Sequence, residues 1–205
     1  LLGQAYFQLG TDKKSESEKL DYYEKALDSM LSAVRTAELE EYKPKENWYV
    51  LMAACYSELS SRIGKDESLY KQLDIYEILV NLYPKKMYFI QLGGIYGQLS
   101  RELDYMITLK AAYQKDLLDK ESEYLALTQL LLLNNNPYWA AKVLEAGRLK
   151  KVPVIDEKTK EEKILPVVKD NEKNLKLLAD AWRMAQEIEL AIPVMEKAAK
   201  LAKDG

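Results

Sequence analysis

A chain of 205 residues with 48% hydrophobic content holds enough apolar material for one large core or a short array of small ones. Its 30 basic and 33 acidic side chains leave a net charge of −3, which argues against a nucleic-acid partner, because phosphate binding needs a basic surplus gathered on one face. It contains no His, the commonest general base and metal ligand, and a single Cys, so neither a metal site nor a cofactor is expected and the redox compartment is left open.

Gly and Pro, at 8 and 6, are few for a turn-rich β protein, while Leu, Ala, Lys and Glu dominate as they do in helices. The longest apolar run, Leu125 to Leu133, is interrupted by Thr128 and Gln129, so direct membrane insertion is not expected. The chain begins at Leu1 without Met and reads as a fragment, so a missing signal peptide carries no meaning.

Leu1 to Leu9 reads as the second half of a truncated helix, followed by a polar stretch, Gly10 to Lys19, with no apolar face and the look of a long turn. From Leu20 to Glu40, Tyr23, Ala26, Leu27, Met30, Ala33 and Val34 form one helical stripe. Pro44 closes this unit and Trp48 opens the next, whose helix continues through Leu51 and Cys55 or Tyr56; Met52 leaves its register open by one residue. A second long turn is expected over Ser60 to Ser68, then a helix around Tyr70 to Leu82 that ends before Pro84. Between Lys86 and Asp119 the chain alternates large and small residues: Phe89, Leu92, Gly93, Tyr96 and, further on, Ala112. Asp119 reads as the N-cap of a helix carrying Tyr124, Leu127, Thr128 and Leu131. Asn134 to Asn136 with Pro137 reads as turn, cap and first helical position, and Ala140, Leu144 and Gly147 follow on the next helix. Lys150 to Lys169 breaks the pattern with two β-branched clusters around a charged centre, compatible with a short hairpin or an irregular loop; its prolines keep either arm out of a sheet interior. Asp170 and Asn171 restart the helices, with Leu175, Leu178, Ala179 and Trp182 on one, and Ala191, Met195 and Ala198 on the last, where Pro193 falls in the second turn.

The recurring large and small positions resemble the tetratricopeptide repeat (TPR), a helix–turn–helix unit of about 34 residues. The resemblance implies an all-α fold, a right-handed superhelix of antiparallel helix pairs, with a loop or short hairpin excursion near 150–169. It further implies one array over 1–205: a truncated repeat over 1–44, then repeats over 45–85, 86–120 and 121–153, an insertion over 154–169, and a last repeat over 170–205. Small residues at the crossings let paired helices approach, large ones fill the gaps between pairs, and each pair is stabilised by stacking on its neighbours.

In TPR arrays the concave surface is lined by first-helix residues that do not fill the core. Counting from each repeat's Leu position, these are Gln4, Phe7 and Gln8; Tyr49 and Tyr56; Ile90, Gly94, Gly97 and Gln98; Leu125, Gln129 and Leu132; and Lys176, Asp180 and Arg183. The set mixes aromatic, amide and apolar side chains, which suits an extended or helical segment of another protein and suits an acidic ligand poorly. Some TPR domains clamp a terminal carboxylate with Lys and Asn on successive first helices. Here Lys176 is followed one turn on by Asp180 rather than Asn, and the neighbouring repeat offers Leu125 and Gln129, so a carboxylate clamp is not expected.

Catalytic readings find little support. No His is available to activate Cys55, which reads as a buried thiol; Glu121 with Glu123, and Glu161 with Glu162, read as solvated carboxylates. Gly93, Gly94 and Gly97 are neither preceded by a strand nor followed by Lys-Ser/Thr, so they are not a phosphate loop. Arg148, Lys150 and Lys151 suit a helix C-terminus. The expectation is a non-enzymatic adaptor that binds another protein. Within the TPR class, NWYVLMAACY, YPKKMYFIQLGGIYGQL, AAKVLEAG and DNEKNLKLLADAW look like the TPR proteins that accompany TonB-type energy-transduction systems, a resemblance covering about 47–202. It implies a periplasmic location, with the cytoplasm as the alternative, and membrane-anchored transducer components as partners. Two other roles stay open: a self-assembling module stacking through surfaces at Leu1 and Leu201, and a substrate-positioning domain of a larger enzyme.

Overall fold

Eleven helices and one two-stranded hairpin follow one another among the residues described by the computed structural model, 1–155 and 160–203. The chain divides between Tyr105 and Met106 into two units. The all-α, TPR-type helix-pair fold expected from the sequence is the fold found, and the excursion is a hairpin rather than a loop.

The first unit comprises α1 (Leu2–Thr11), α2 (Glu16–Leu39), α3 (Glu46–Glu58), a single turn α4 (Ser60–Ile63), α5 (Lys65–Leu82), α6 (Lys86–Gln98) and the start of α7 (Glu102–Gln114). Neighbours in sequence pack on each other: α1 on α2, α2 on α3, α3 on α5 and α5 on α6. Tyr23, Ala26 and Met30 of α2 meet Tyr49, Met52 and Cys55 of α3 and Leu79 of α5 in one core cluster. Leu69 and Leu73 of α5 join Leu92, Ile95 and Tyr96 of α6 in another. Polar contacts tie the loop before α3 to the start of α6: the Tyr83 hydroxyl donates to the Pro44 carbonyl, the Tyr88 hydroxyl donates to Glu46, and Lys85 Nζ lies 2.7 Å from the Glu46 carboxylate.

Both expected long turns are mostly helix. Glu16 and Glu18 occupy the first turn of α2, where carboxylates favour the positive helix end, so a segment without any apolar face is already helical before Leu20. Ser60 to Ser68 divides into α4 and the first turn of α5 at Gly64, whose φ of +93° breaks the helix. The Ser68 hydroxyl then donates to the Tyr56 carbonyl at 2.7 Å. Leu79 is wholly buried.

The second unit holds the rest of α7, α8 (Glu121–Leu133), α9 (Pro137–Leu149), β1 (Lys151–Ile155), β2 (Glu162–Pro166), α10 (Glu172–Met184) and α11 (Ile188–Lys203). Here α8 packs on α9, α9 on α10, and α10 on α11. Ala140, Leu144, Leu175, Leu178, Ala179 and Trp182 are buried, as their spacing predicts. Met195 is the exception at 38% exposed. The N-cap of α8 is Lys120, not Asp119; the Glu123 carboxylate accepts from the amides of both, each at 3.1 Å, and the capping carboxylate thus comes from inside the helix. Pro137 starts α9 and Pro193 lies inside α11, both as expected.

The hairpin begins at Lys151, three residues earlier than the insertion expected at 154, and residues 156–159 at the centre of its charged stretch lie outside the described residues. Its root is fastened to the helices. Val168 donates its amide to the Gly147 carbonyl at 2.9 Å and is fully buried, and a Cβ on Gly147 would stand 2.6 Å from Val168 Cγ2 and 2.7 Å from Tyr124 Cδ1. Lys150 Nζ reaches Asp116 Oδ1 at 2.6 Å and the Leu118 carbonyl at 2.8 Å. Asp170 accepts from Arg148 Nε at 2.5 Å and from Lys197, and chiefly the Arg148 bond holds its carboxyl down at about 2. Glu121 accepts from the Lys169 amide at 3.0 Å and from Asn174 Nδ2 at 2.7 Å.

Two outcomes test this account. Gly147→Ala destabilises by about 1–2 kcal/mol, because overpacking outweighs the gain in helix propensity, whereas Gly94→Ala, whose Cβ meets nothing within 4 Å, stabilises by roughly 0.5–1 kcal/mol; urea unfolding reads both. The Asp170 carboxyl is depressed, so its contribution is complete above about pH 4 and is lost as the pH falls towards 2. Asp170→Asn therefore costs about 1 kcal/mol at neutral pH after allowance for solvent screening, and the difference from wild type closes in acid unfolding curves.

Candidate partner-binding surface

The residues that sequence spacing assigns to a binding face fall into different environments. On α1, Phe7 is half-buried with its ring 5.1 Å from that of Tyr23, while Gln4 and Gln8 are exposed, the Gln8 amide donating to Thr11 Oγ1 at 3.0 Å. On α3 the assignment fails for Tyr49. Tyr49 is 3% exposed and sits in the core, and Tyr56 is half-buried with its phenol pushed upward by desolvation. Met52 and Ala53 are both buried, so they, not Leu51 and Met52, take the places of Leu92 and Gly93; Tyr49 and Tyr56 then match the gap-filling Phe89 and Tyr96. With the count moved by one, α3 presents Val50, Ala54 and Ser57 instead, and of these Val50 and Ser57 are exposed.

On α6, Ile90 is half-buried and Gly94, Gly97 and Gln98 are exposed. A Cβ at Gly94 would meet nothing within 4 Å, and one at Gly97 would meet only Tyr105 Cδ1 at 3.9 Å. Each glycine inside a helix costs about 1 kcal/mol relative to Ala, and packing accounts for neither. The Gln98 amide reaches the Gly94 carbonyl only at 3.5 Å, which leaves it free to turn towards a ligand. The result is a strip of uncovered backbone edged by one apolar and one amide side chain.

In the second unit, α8 carries half-buried Leu125 and Leu132 on either side of exposed Gln129, the same chemistry without the glycines. On α10, Lys176 and Arg183 are exposed and Asp180 is half-buried, but Arg183 and Asp180 pair with each other at 3.2 Å. A carboxylate is thus already in place where a clamp for a terminal carboxylate needs an amide.

No protein-family model matches the sequence, and no curated protein does. Among solved structures the chain is similar to "MamA AMB-1 P212121" at 13% identity, covering 99% of this chain and 93% of that one with a TM-score of 0.51. It is also similar to "MamA RS-1 ArsTM double mutant", at 10% identity, 98% and 95% coverage and TM-score 0.48. A third is "MamA 41-end from Desulfovibrio magneticus RS-1", at 12%, 98% and 96%, and 0.45. What the first likeness shows is the fold.

Sequence reasoning missed a groove on α2. Two adjoining concavities of about 460 and 390 Å³ share Ala33 and Trp48 and run from Leu1 and Asp28 to Tyr42 and Lys45. They lie along the C-terminal half of α2, beside Trp48 of α3. Small Ala33 and Ala37 facing a ring at Trp48 were the available signal. Burial pushes the Cys55 thiol up to about 12, and among the described residues no three His, Cys, Asp or Glu side chains gather in a metal-binding group. No described helix is long and apolar enough to cross a membrane. Cys55 is expected to resist a disulfide reagent in the native protein at mildly alkaline pH and to react fully in concentrated guanidinium chloride, read by thiol absorbance.

Proposed function

We propose that this chain is a non-catalytic protein-interaction module that lays a segment of another protein across α6, over Ile90, Gly94, Gly97 and Gln98, with Leu125, Gln129 and Leu132 of α8 offering a second face of similar character. The observation that carries this reading is the pair Gly94 and Gly97. Both leave open space where the packing-dictated Gly147 leaves none, and a helix retains such glycines where another backbone must come close. Ile90 supplies an apolar anchor and Gln98 an amide for main-chain hydrogen bonds, which suits a neutral or apolar segment better than an acidic one. MamA-type structures share the helix-pair fold that presents such faces.

The finer reading places the module in a TonB-type energy-transduction system, in the periplasm, beside membrane-anchored transducer components. Support for it comes from the sequence stretches around Trp48, Phe89, Ala140 and Leu178 that look like that group of TPR proteins.

The test is a photo-crosslinking residue placed at position 98 in the source cell, with adducts identified by mass spectrometry. Filling the strip with Gly94→Leu and Gly97→Leu should lower adduct yield about tenfold while helical circular dichroism is unchanged. Equal yields in filled and native strips would count against the α6 site. Adducts without any membrane-anchored transducer among them would remove the finer reading and leave the module.

A further inference from the structure

The hairpin between α9 and α10 is unused by the α6 reading. Its register pairs Lys151 with Pro166, Pro153 with Ile164, and Ile155 with Glu162 on one face, and Val152 with Leu165 and Val154 with Lys163 on the other. The first face is the barer, with Ile155 67% and Ile164 71% exposed and Pro153 exposed between them. A lone two-stranded ribbon is marginal in water, yet this one presents branched apolar side chains from a root fastened by Lys150, Val168 and Asp170. That arrangement anchors the base of the ribbon to the helices.

Its edges are closed to strand addition. The Val167 amide donates to the Lys150 carbonyl at 2.8 Å, which sets the ladder's phase so that 151, 153 and 155, and 162, 164 and 166, point their backbone groups outward. Pro153 and Pro166 fall at outward positions, one on each edge, and each removes a donor that an added strand would need. A partner must therefore meet the face.

The charge on that face matches itself. Lys151 lies at the root end and Glu162 at the far end, with Pro153, Ile155 and Ile164 between, and neither charge has an ion-pair partner among the described residues. Laying a second hairpin face to face with its strands reversed brings Lys151 of each copy to the end that carries Glu162 of the other. Pro153 and Ile164 then stack at the centre, and sheets about 10 Å apart are within reach of both charged side chains. We infer that the occupant of this face is a second copy of the chain, joined by a two-fold hairpin-to-hairpin contact. A C₂ contact puts one patch against itself, and this patch is complementary to itself. Three apolar side chains a copy fall well short of the roughly 800 Å² a side of stable interfaces, so the dimer is weak and concentration-dependent.

Sedimentation velocity on the whole chain, from low micromolar to about 1 mM, tests this. Wild type should pass from monomer to dimer across the range, and Ile164→Asp should stay monomeric with unchanged helical circular dichroism. Lys151→Glu and Glu162→Lys should each weaken dimerisation about tenfold, because the two-fold repeats the pair twice, and the double variant should recover to within about threefold of wild type. A monomer at the highest concentration overturns the inference. So does a dimer that Ile164→Asp leaves intact, which would point to stacking of the terminal helices, or a double variant no better than either single one. None of these outcomes bears on adducts formed at α6.

Discussion

How near two helices come to each other is decided by the smallest side chain between them, and that distance governs the rest of this protein. At Gly147 the clearance is so small that the Tyr124 ring and Val168 occupy the space a Cβ would need. Ala140, Ala179, Ala191 and Ala198 mark further buried contacts in the second unit, and Ala26 and Ala53 do the same in the first. Rings then fill the gaps that close approach leaves: Trp182 lies edge-on to Tyr138 at 5.6 Å, and Tyr113 edge-on to Tyr124 at 6.1 Å. Because the helices are held by shape, the polar contacts are left to place the loops.

The loops use that freedom in two ways. In the first unit Glu46 gathers Lys85 and the Tyr88 hydroxyl, so the segment before α3 and the segment before α6 are held together by one carboxylate. In the second unit Glu121, Asp170 and Lys150 do comparable work around the insertion. A sixteen-residue departure, from Lys151 through Pro166, is accommodated between α9 and α10 while the two helices still pack on each other.

The helix pairs could be read from the chain because large and small residues recur at helical spacing, and each of Phe89, Tyr96, Tyr124 and Trp182 is buried as that spacing demands. Polar helix starts could not: Glu16 to Lys19 and Lys65 to Glu67 have no apolar stripe, and only charge at a helix end and the break at Gly64 reveal them. The slip on α3 has a different cause. Leu51 and Met52 are both plausible core residues, and Met bends into a site that pattern reading reserves for Leu, so hydrophobicity alone does not choose between registers. That single slip carried Tyr49 from the core to the expected surface. The glycines of α6 show the limit most plainly. Gly147 and Gly94 are the same letter in similar contexts, and only neighbouring atoms tell a forced glycine from a bare one.

Bareness at 94 and 97 also changes how α6 meets water. Elsewhere on a helix, side chains screen the peptide groups beneath them; here two exposed positions three residues apart lack that cover. Two glycines within one turn lower the intrinsic helix propensity there, on a helix otherwise pinned by Tyr88, Phe89, Leu92 and Tyr96. A guest that displaced this water would stiffen the turn as it arrived, so that occupancy of the strip would be felt as a loss of motion before any change of shape.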